Sequence, residues 1–111
     1  MGVSSSSPSG EMSGAVTNAI RQRISQNTVV IYSKTYCPYC TMAKEVFDKL
    51  RQPYDLIELD QVQDSEQIQD ALGKMTGTRT VPRVFIKGQC IGGGTDTQSL
   101  YKQGKLQEML K

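Results

Sequence analysis

The chain changes from strand to helix across two adjoining runs, Val29-Val30-Ile31-Tyr32 and Lys34-Thr35-Tyr36-Cys37-Pro38-Tyr39-Cys40. The first run is apolar or aromatic throughout, which is typical of a strand buried on both faces of a sheet. A helical pattern of apolar positions follows from Met42 to Leu50. Pro38 suits the first turn of that helix, because the N–H group it lacks would be unpaired there. Two cysteines separated by two residues therefore lie at a strand-to-helix junction, which indicates a redox site.

Apolar periodicity predicts three more helices in the rest of the chain. The three patterns cover 14–26, 64–77 and 95–110. The second is expected to begin at a capping box of Asp64 with Gln67. Thr95 with Gln98 forms the same kind of start for the third, which should be interrupted near Gly104.

Three further strands are expected over 54–59, 84–86 and 89–91. The last two should form an antiparallel hairpin that turns at Lys87-Gly88. The resulting order, α-β-α-β-α-β-β-α, predicts an α/β fold with a small mixed four-stranded sheet flanked by helices on both faces. Residues 1–13 are expected to be a flexible serine-rich tail, and residues 14–111 a single domain.

The composition indicates which classes of protein and which kinds of site the chain can form. The 111 residues are 37% hydrophobic and 22% charged, which supports one buried core. A net charge of +2 creates no strong field for nucleic acid, so we expect no nucleic-acid partner. The absence of histidine excludes Cys–His and Ser–His nucleophile pairs. Three cysteines, an odd number, fit a reducing compartment. We therefore expect a cytoplasmic protein, or a mitochondrial one if a longer precursor exists.

The N-terminal residues carry a weak membrane signal. Met1-Gly2 with Ser6 matches the pattern for N-myristoylation, although a plain serine-rich tail explains the same residues. The chain shows no signal-peptide pattern and no long apolar span. Contact with a membrane is therefore expected only if Gly2 is acylated.

The position of Cys37 and Cys40 suggests two different roles for them. Cys37 begins the helix, where free N–H groups and the positive end of the helix dipole favour a thiolate. Lys34 adds a nearby cation. Cys40 lies one turn further on and faces inward, so it should be shielded and less acidic. We expect Cys37 to be the nucleophile and Cys40 the resolving thiol of a redox pair.

The main alternative for these two cysteines is half of a zinc site. A structural zinc ion needs four ligands, and without histidine only Cys90 remains to help. Cys90 lies on a short strand and is expected to be a small buried hydrophobic residue. A role in glutathionylation or in linking a dimer stays open for it. We expect no protein metal site.

Three separated motifs resemble those of dithiol glutaredoxins, in the same order. They are Cys37-Pro38-Tyr39-Cys40, Thr80-Val81-Pro82, and Gly92-Gly93 with Thr95-Asp96. The resemblance covers about 28–111. It implies a thioredoxin-like fold and an enzyme that uses glutathione to reduce protein–glutathione mixed disulfides and protein disulfides.

The resemblance also implies a glutathione-binding site. Its expected residues are Lys34, Tyr39, Gln69, Arg79, Thr80, Val81, Pro82, Gly93, Thr95 and Asp96. The backbone of Val81, which precedes a proline that is cis in the family, should pair with the cysteinyl part of glutathione. The glycyl carboxylate end is expected near Lys34, Gln69 and Arg79.

The γ-glutamyl end of glutathione is expected at Thr95 and Asp96. Backbone N–H groups at a helix start near Thr95 can bind its carboxylate, and Asp96 can bind its ammonium group. The residues expected at the glycyl end of glutathione also have explanations that involve no ligand. Lys34 and Arg79 could be solvated surface cations, and Gln69 an exposed helical glutamine.

Two functions follow from the family resemblance. The first is a monomeric oxidoreductase whose partners are glutathione and glutathionylated or disulfide-bonded proteins. The second is a dimer around a 2Fe–2S cluster, with Cys37 of each subunit and two glutathione thiols as ligands. Pro38 stiffens the loop where cluster-holding relatives more often carry serine or glycine, so the enzyme is the favoured prediction.

Overall fold

The computed structural model describes residues 8–111, with side-chain surroundings from residue 14 onward. The predicted tail up to residue 7 and the acylation pattern at Gly2 lie outside the described residues. The described part forms five α-helices and four strands: α1 Pro8–Gln26, β1 Val29–Ser33, α2 Pro38–Lys49, β2 Asp55–Glu58, α3 Ser65–Thr76, β3 Arg83–Ile86, β4 Gln89–Gly92, α4 Gly94–Lys102 and α5 Lys105–Met109. A short 3-10 turn, Leu59–Gln61, follows β2.

The strands form one mixed sheet in the order β2-β1-β3-β4. β1 is parallel to β2, with Val30 opposite Asp55, and antiparallel to β3, with Val30 opposite Phe85. β3 and β4 form the predicted hairpin, whose turn residues Lys87 and Gly88 have φ angles of 51° and 86°. The predicted mixed four-stranded sheet is therefore confirmed. Its parallel pair brings the carboxyl ends of β1 and β2 to the same edge.

Helices cover both faces of the sheet, and β1 supplies the core on each side. Val30 and Tyr32 pack in a cluster that includes Ile20 of α1 and Leu72 of α3. Val29 and Ile31 belong to the opposite cluster, whose other buried members are Ala43, Val46, Phe47, Val84, Ile86 and Leu106. Every side chain of β1 is buried, and for Val29 to Tyr32 the uninterrupted apolar and aromatic sequence predicted this. β1 is thus held rigidly by packing on both faces, and the loop to Cys37 starts at its carboxyl end.

Three predicted helix starts need correction. Residues 8–13 are helical, as part of α1, although they were expected in the flexible tail and the helix was expected to start at Gly14. Asp64 makes no side-chain capping bond, because its ψ of 33° is not the extended conformation that a capping side chain needs. The last start is not capped by Thr95, because Gly93 is already the cap residue.

Candidate active site

Cys37 lies at the N-terminal cap of α2 in an extended conformation, with φ −93° and ψ 117°. Its sulfur accepts a hydrogen bond from the backbone N–H of Cys40 at 3.3 Å. Its thiol also lies 3.9 Å from the carbonyl oxygen of Val81. The side chain is half-buried. A helix N-terminus and a backbone donor both stabilise negative charge on sulfur, so the site suits a thiolate nucleophile.

Cys40 has the opposite environment, three residues away. Its side chain is fully buried, at 0% exposure. Burial raises the pKa of the Cys40 thiol to about 11, and its hydrogen-bond contact with Cys37 adds to the rise. Contacts with the Lys34 backbone and the Ser33 hydroxyl lower this pKa and offset part of the rise. Cys40 is therefore protonated at neutral pH and shielded from solvent.

The loop before Cys37 is held by Asp60, which the sequence prediction missed. The Asp60 carboxylate accepts hydrogen bonds from the Thr35 backbone N–H, at 3.0 Å, and from the Thr35 hydroxyl. These bonds hold the pKa of the Asp60 carboxyl below its usual value. Asp60 follows β2 as Thr35 follows β1, so the parallel pairing of these strands was a signal that could have found it.

The segment 80–82 forms a wall beside Cys37. The Val81–Pro82 peptide bond is cis, as the family resemblance implied. Pro82 is buried and Val81 half-buried, with the Val81 carbonyl facing the Cys37 sulfur. Thr80 is exposed, and its N–H donates to the Thr78 hydroxyl at 3.2 Å. This wall therefore places backbone atoms of Val81 directly beside the nucleophile.

A second wall is the start of α4. The Gly93 N–H donates to the Asp96 carboxylate at 2.9 Å. Asp96 occupies the space that a Cβ on Gly92 would fill, and the Tyr39 carbonyl lies where a Cβ on Gly94 would be. These two glycines are required for close approach. They let the first turn of α4, with its free N–H groups, pack against α2 at Tyr39, two residues after Cys37.

The remaining predicted residues are placed as follows. Lys34 is half-buried, Tyr39 is 55% exposed and Thr95 is exposed on the first turn of α4. The structure shows no hydrogen bond from the Thr95 side chain within residues 14–111. The Arg79 guanidinium is paired at 3.0 Å with Glu66 and at 3.0 Å with Asp70. The charge of Arg79 is thus already partly compensated.

Gln69 is not the exposed helical glutamine that the sequence analysis considered as an alternative. It is buried, and its amide donates to the Arg79 carbonyl at 3.3 Å. Gln69 therefore supports the segment that leads into Val81 rather than lying exposed on α3. Its spacing three residues before Leu72, on the core face of the helix, was the signal for its burial.

Two other residues at the site were not predicted. Ser33 is fully buried and its hydroxyl contacts Cys40. Arg83 is 7% exposed, and its Nε donates to the Pro82 carbonyl at 3.1 Å. A charged residue next to a proline normally indicates a surface turn, so the sequence held no signal for the burial of Arg83.

Comparisons with known proteins agree with this geometry. The glutaredoxin family model matches residues 29–91. Glutaredoxin-2, mitochondrial, of Bos taurus is 54% identical over 106 residues, which cover 96% of this chain and 68% of the relative. The Homo sapiens protein of the same name is 55% identical over 92 residues, covering 83% of this chain and 56% of the relative.

Solved structures give the same result. A buckwheat glutaredoxin–glutathione complex superposes with a TM-score of 0.88 at 44% identity, covering 93% of this chain and 94% of the other. Oxidized glutaredoxin 2 from Chlamydomonas reinhardtii gives a TM-score of 0.85 at 41% identity, covering 88% and 92%. The predicted thioredoxin-like fold and the resemblance to dithiol glutaredoxins are both confirmed. The chain therefore belongs to the glutaredoxin family, the glutathione-dependent thiol–disulfide oxidoreductases.

Proposed function

We propose that Cys37 is the residue that performs this exchange. Its thiolate attacks the glutathione sulfur of a protein–glutathione mixed disulfide, so that a Cys37–glutathione disulfide forms and the protein–glutathione disulfide breaks. The protein thiolate leaves and takes a proton from water. A glutathione thiolate then attacks the sulfur of the bound glutathione, which restores the Cys37 thiolate and releases glutathione disulfide. The observation that carries this proposal is the half-open Cys37 sulfur at the helix N-terminus, beside a fully buried Cys40.

The second thiol acts on protein disulfides in this proposal. The Cys37 thiolate attacks first, so that the substrate disulfide breaks, its first thiolate leaves and a mixed disulfide between Cys37 and the substrate protein forms. Cys40, whose N–H already contacts the Cys37 sulfur, then loses its proton to water and attacks that sulfur to close the Cys37–Cys40 disulfide. The second substrate thiolate leaves and is protonated. Because burial keeps Cys40 protonated at neutral pH, the resolving step is the one that needs a base.

Glutathione is proposed to lie along the two walls beside Cys37. Its cysteinyl part would pair with the backbone of Val81, whose carbonyl faces the sulfur. Its γ-glutamyl carboxylate would bind N–H groups of the first turn of α4, and Asp96 would take the ammonium group. The glycyl carboxylate would meet Lys34 and Arg79. Tyr39, Gln69, Thr80, Pro82, Gly93 and Thr95 complete the proposed site.

A 2Fe–2S dimer is the second candidate, and Pro38, which stiffens the loop next to Cys37, favours it less. Among residues 14–111, no group of three His, Cys, Asp or Glu side chains could hold a metal ion. Cys40 is buried, so one chain offers a cluster only Cys37 at this face. Two chains and two glutathione thiols would be required. Anaerobic purification with glutathione, followed by a visible spectrum and a sedimentation experiment, separates the proposed monomer from this dimer.

We propose a mitochondrial location in preference to the cytoplasmic one expected from the sequence. The mammalian relatives at 50–55% identity are named as mitochondrial proteins. No helix among residues 8–111 is long and apolar enough to span a membrane. Fractionation of cells that make the natural protein, with antibody detection, tests the location.

The test of the proposed mechanism is a deglutathionylation assay with a glutathionylated protein as substrate. We expect Cys37→Ser to lose activity by a factor on the order of 10³ or more, because no other open thiol lies between the two walls. Cys40→Ser should retain the activity, and Cys90→Ser serves as the matched control. Activity that survives Cys37→Ser contradicts the proposal.

A further inference from the structure

Arg83, the first residue of β3, carries a buried charge that the exchange reaction does not use. Its residue exposure is 7%, and its guanidinium has no carboxylate within 4 Å among residues 14–111. Burial of a charge without a counter-ion is costly, so such groups are held by several directed hydrogen bonds or serve a site. Two contacts hold the guanidinium of Arg83, one to a carbonyl oxygen and one to a sulfur.

The guanidinium of Arg83 lies between the two walls of the proposed glutathione site. Its Nε donates to the Pro82 carbonyl at 3.1 Å, which fixes the wall next to Val81. Its Nη2 lies 3.3 Å from the position of a Cβ on Gly93, the cap residue of α4, and the Pro82 oxygen lies 3.5 Å from that same position. Its Nη1 approaches the Cys90 sulfur at 3.9 Å, on the neighbouring strand β4.

Each of these contacts uses a different nitrogen of one planar group. Arginine offers five donors in a fixed fork, whereas lysine offers a single nitrogen at the end of a flexible chain. The fork therefore fills the space between Pro82, to which Nε is bonded, and Gly93, beside which Nη2 packs, in a way that one ammonium group cannot. It also places a positive charge next to the start of α4, where free N–H groups already favour an anion.

We propose that Arg83 is a positioning residue for glutathione, which it favours without touching it. The proposal rests on the proposed function above, in which Val81 and the first turn of α4 hold the tripeptide. Arg83 sets the spacing of these two walls and adds positive charge beneath the wall that binds a carboxylate. Its effect is therefore expected on the KM for glutathione and not on the reactivity of the Cys37 sulfur.

The experiment measures kcat and the KM for glutathione in a deglutathionylation assay at saturating glutathionylated protein. Arg83→Gln should raise the KM about tenfold, because the positive charge beside α4 and the charge-assisted bond to the Pro82 carbonyl are both lost, and leave kcat within about twofold. Arg83→Lys should raise the KM about threefold, because its charge remains while the fork is lost. Arg21→Gln, which removes an equal charge from an exposed position of α1, is the matched control and should change neither constant.

Three results decide the inference. A KM in both Arg83 variants equal to that of the natural chain overturns it, and so does a loss confined to kcat. An equal rise of KM in Arg21→Gln also overturns it, because net charge would then be the cause. Thermal unfolding and circular dichroism check each variant, and if Arg83→Gln does not fold, the KM of Arg83→Lys decides. A natural chain without glutathione-dependent activity contradicts the proposed function instead, which separates the two failures.

Discussion

Cys37 and Cys40 are three residues apart on the same helix, yet their surroundings differ in every respect that governs thiol chemistry. Cys37 is half-buried at the helix cap and accepts a hydrogen bond through its sulfur. Cys40 is fully buried one turn later, and burial raises the pKa of its thiol to about 11. One helical turn therefore separates the sulfur that attacks in the proposed mechanism from the sulfur that resolves the mixed disulfide.

The difference comes from the fold around the motif and not from the motif itself. β1 and α2 bury Cys40 in the layer next to Ser33, whereas the loop from Lys34 to Cys37 is turned outward and tied to Asp60 through Thr35. Two thiols in a Cys-X-X-Cys motif are chemically equal until a strand-to-helix junction makes them unequal.

The pH dependence of Cys40 alkylation is the largest expected effect. A pKa of about 11 is four units above pH 7, so the Cys40 thiolate fraction at pH 7 is on the order of 10⁻⁴. In a Cys37→Ser, Cys90→Ser protein, the rate of Cys40 alkylation by iodoacetamide should rise about tenfold for each pH unit through about pH 10. A rate that is half-maximal near pH 9, the usual pKa of the thiol, and level above about pH 10 would show that Cys40 is not shielded.

The same pKa makes stability fall at high pH. The folded pKa of Cys40 is raised above its usual value, so the contribution of this thiol is complete below about pH 9 and is lost as the pH rises toward 11. The free energy of unfolding, measured with urea at pH 7, 9 and 10.5, should decrease in that order. Cys40→Ala should show a smaller decrease over the same range, and an equal decrease would exclude Cys40 as the source.

Cys40→Ser should separate the two activities of the pair. Reduction of a protein disulfide should fall by a factor on the order of 10² or more, because an intramolecular attack is replaced by attack from free glutathione. Deglutathionylation of a protein should remain. Parallel assays with an insulin-type disulfide and a glutathionylated protein measure both effects. Equal losses in the two assays would mean that Cys40 does more than resolve mixed disulfides.

Asp60→Asn tests whether the loop from Lys34 to Cys37 depends on the hydrogen bonds between Thr35 and Asp60. We expect kcat/KM to fall about two- to fivefold, the effect of weakening the hydrogen bonds to Thr35. Asp64→Asn is the matched control, because Asp64 is exposed and makes no capping bond. Steady-state assays of both variants provide the comparison. An equal fall in the two would point to a general charge effect.

Arg79→Gln is expected to have the smallest effect. Arg79 is half exposed and shared between Glu66 and Asp70, so its proposed contact with a glutathione carboxylate should contribute little to binding. The KM for glutathione should rise no more than about threefold. A double variant Glu66→Gln, Asp70→Asn should lower that KM, since it frees the guanidinium. A tenfold rise in Arg79→Gln would make this side of the site as important as the α4 wall.

The sequence predicted the element order, the sheet and the position of the redox pair, because these depend on periodicity and on one junction. It did not predict the helix caps correctly at Asp64 and Thr95. A capping pattern names a residue that can bond, but the backbone angles that decide the bond come from packing. Gly93 and not Thr95 is the cap residue of α4. The reason is that Gly92 lets the chain approach Asp96 closely, and Gly94 lets it approach α2 closely.

The supporting residues of the site were harder to predict for a related reason. Asp60, Ser33 and Arg83 each act through a partner that is distant in sequence or that depends on burial. The helical spacing of Gln69 is consistent with burial, but its polar side chain by itself predicts exposure. Arg83 showed no such signal, because a buried arginine without a carboxylate departs from the usual distribution of charged residues.

The most direct test of the central claim is to find which cysteine accepts glutathione. The Cys40→Ser protein, reduced and then treated with one equivalent of glutathione disulfide, is digested and its adduct located by mass spectrometry. The half-open sulfur at the cap of α2 should carry the glutathione, so the adduct is predicted on Cys37, with Cys90 unmodified as the internal control. An adduct found mainly on Cys90, or divided equally between the two cysteines, would contradict the account.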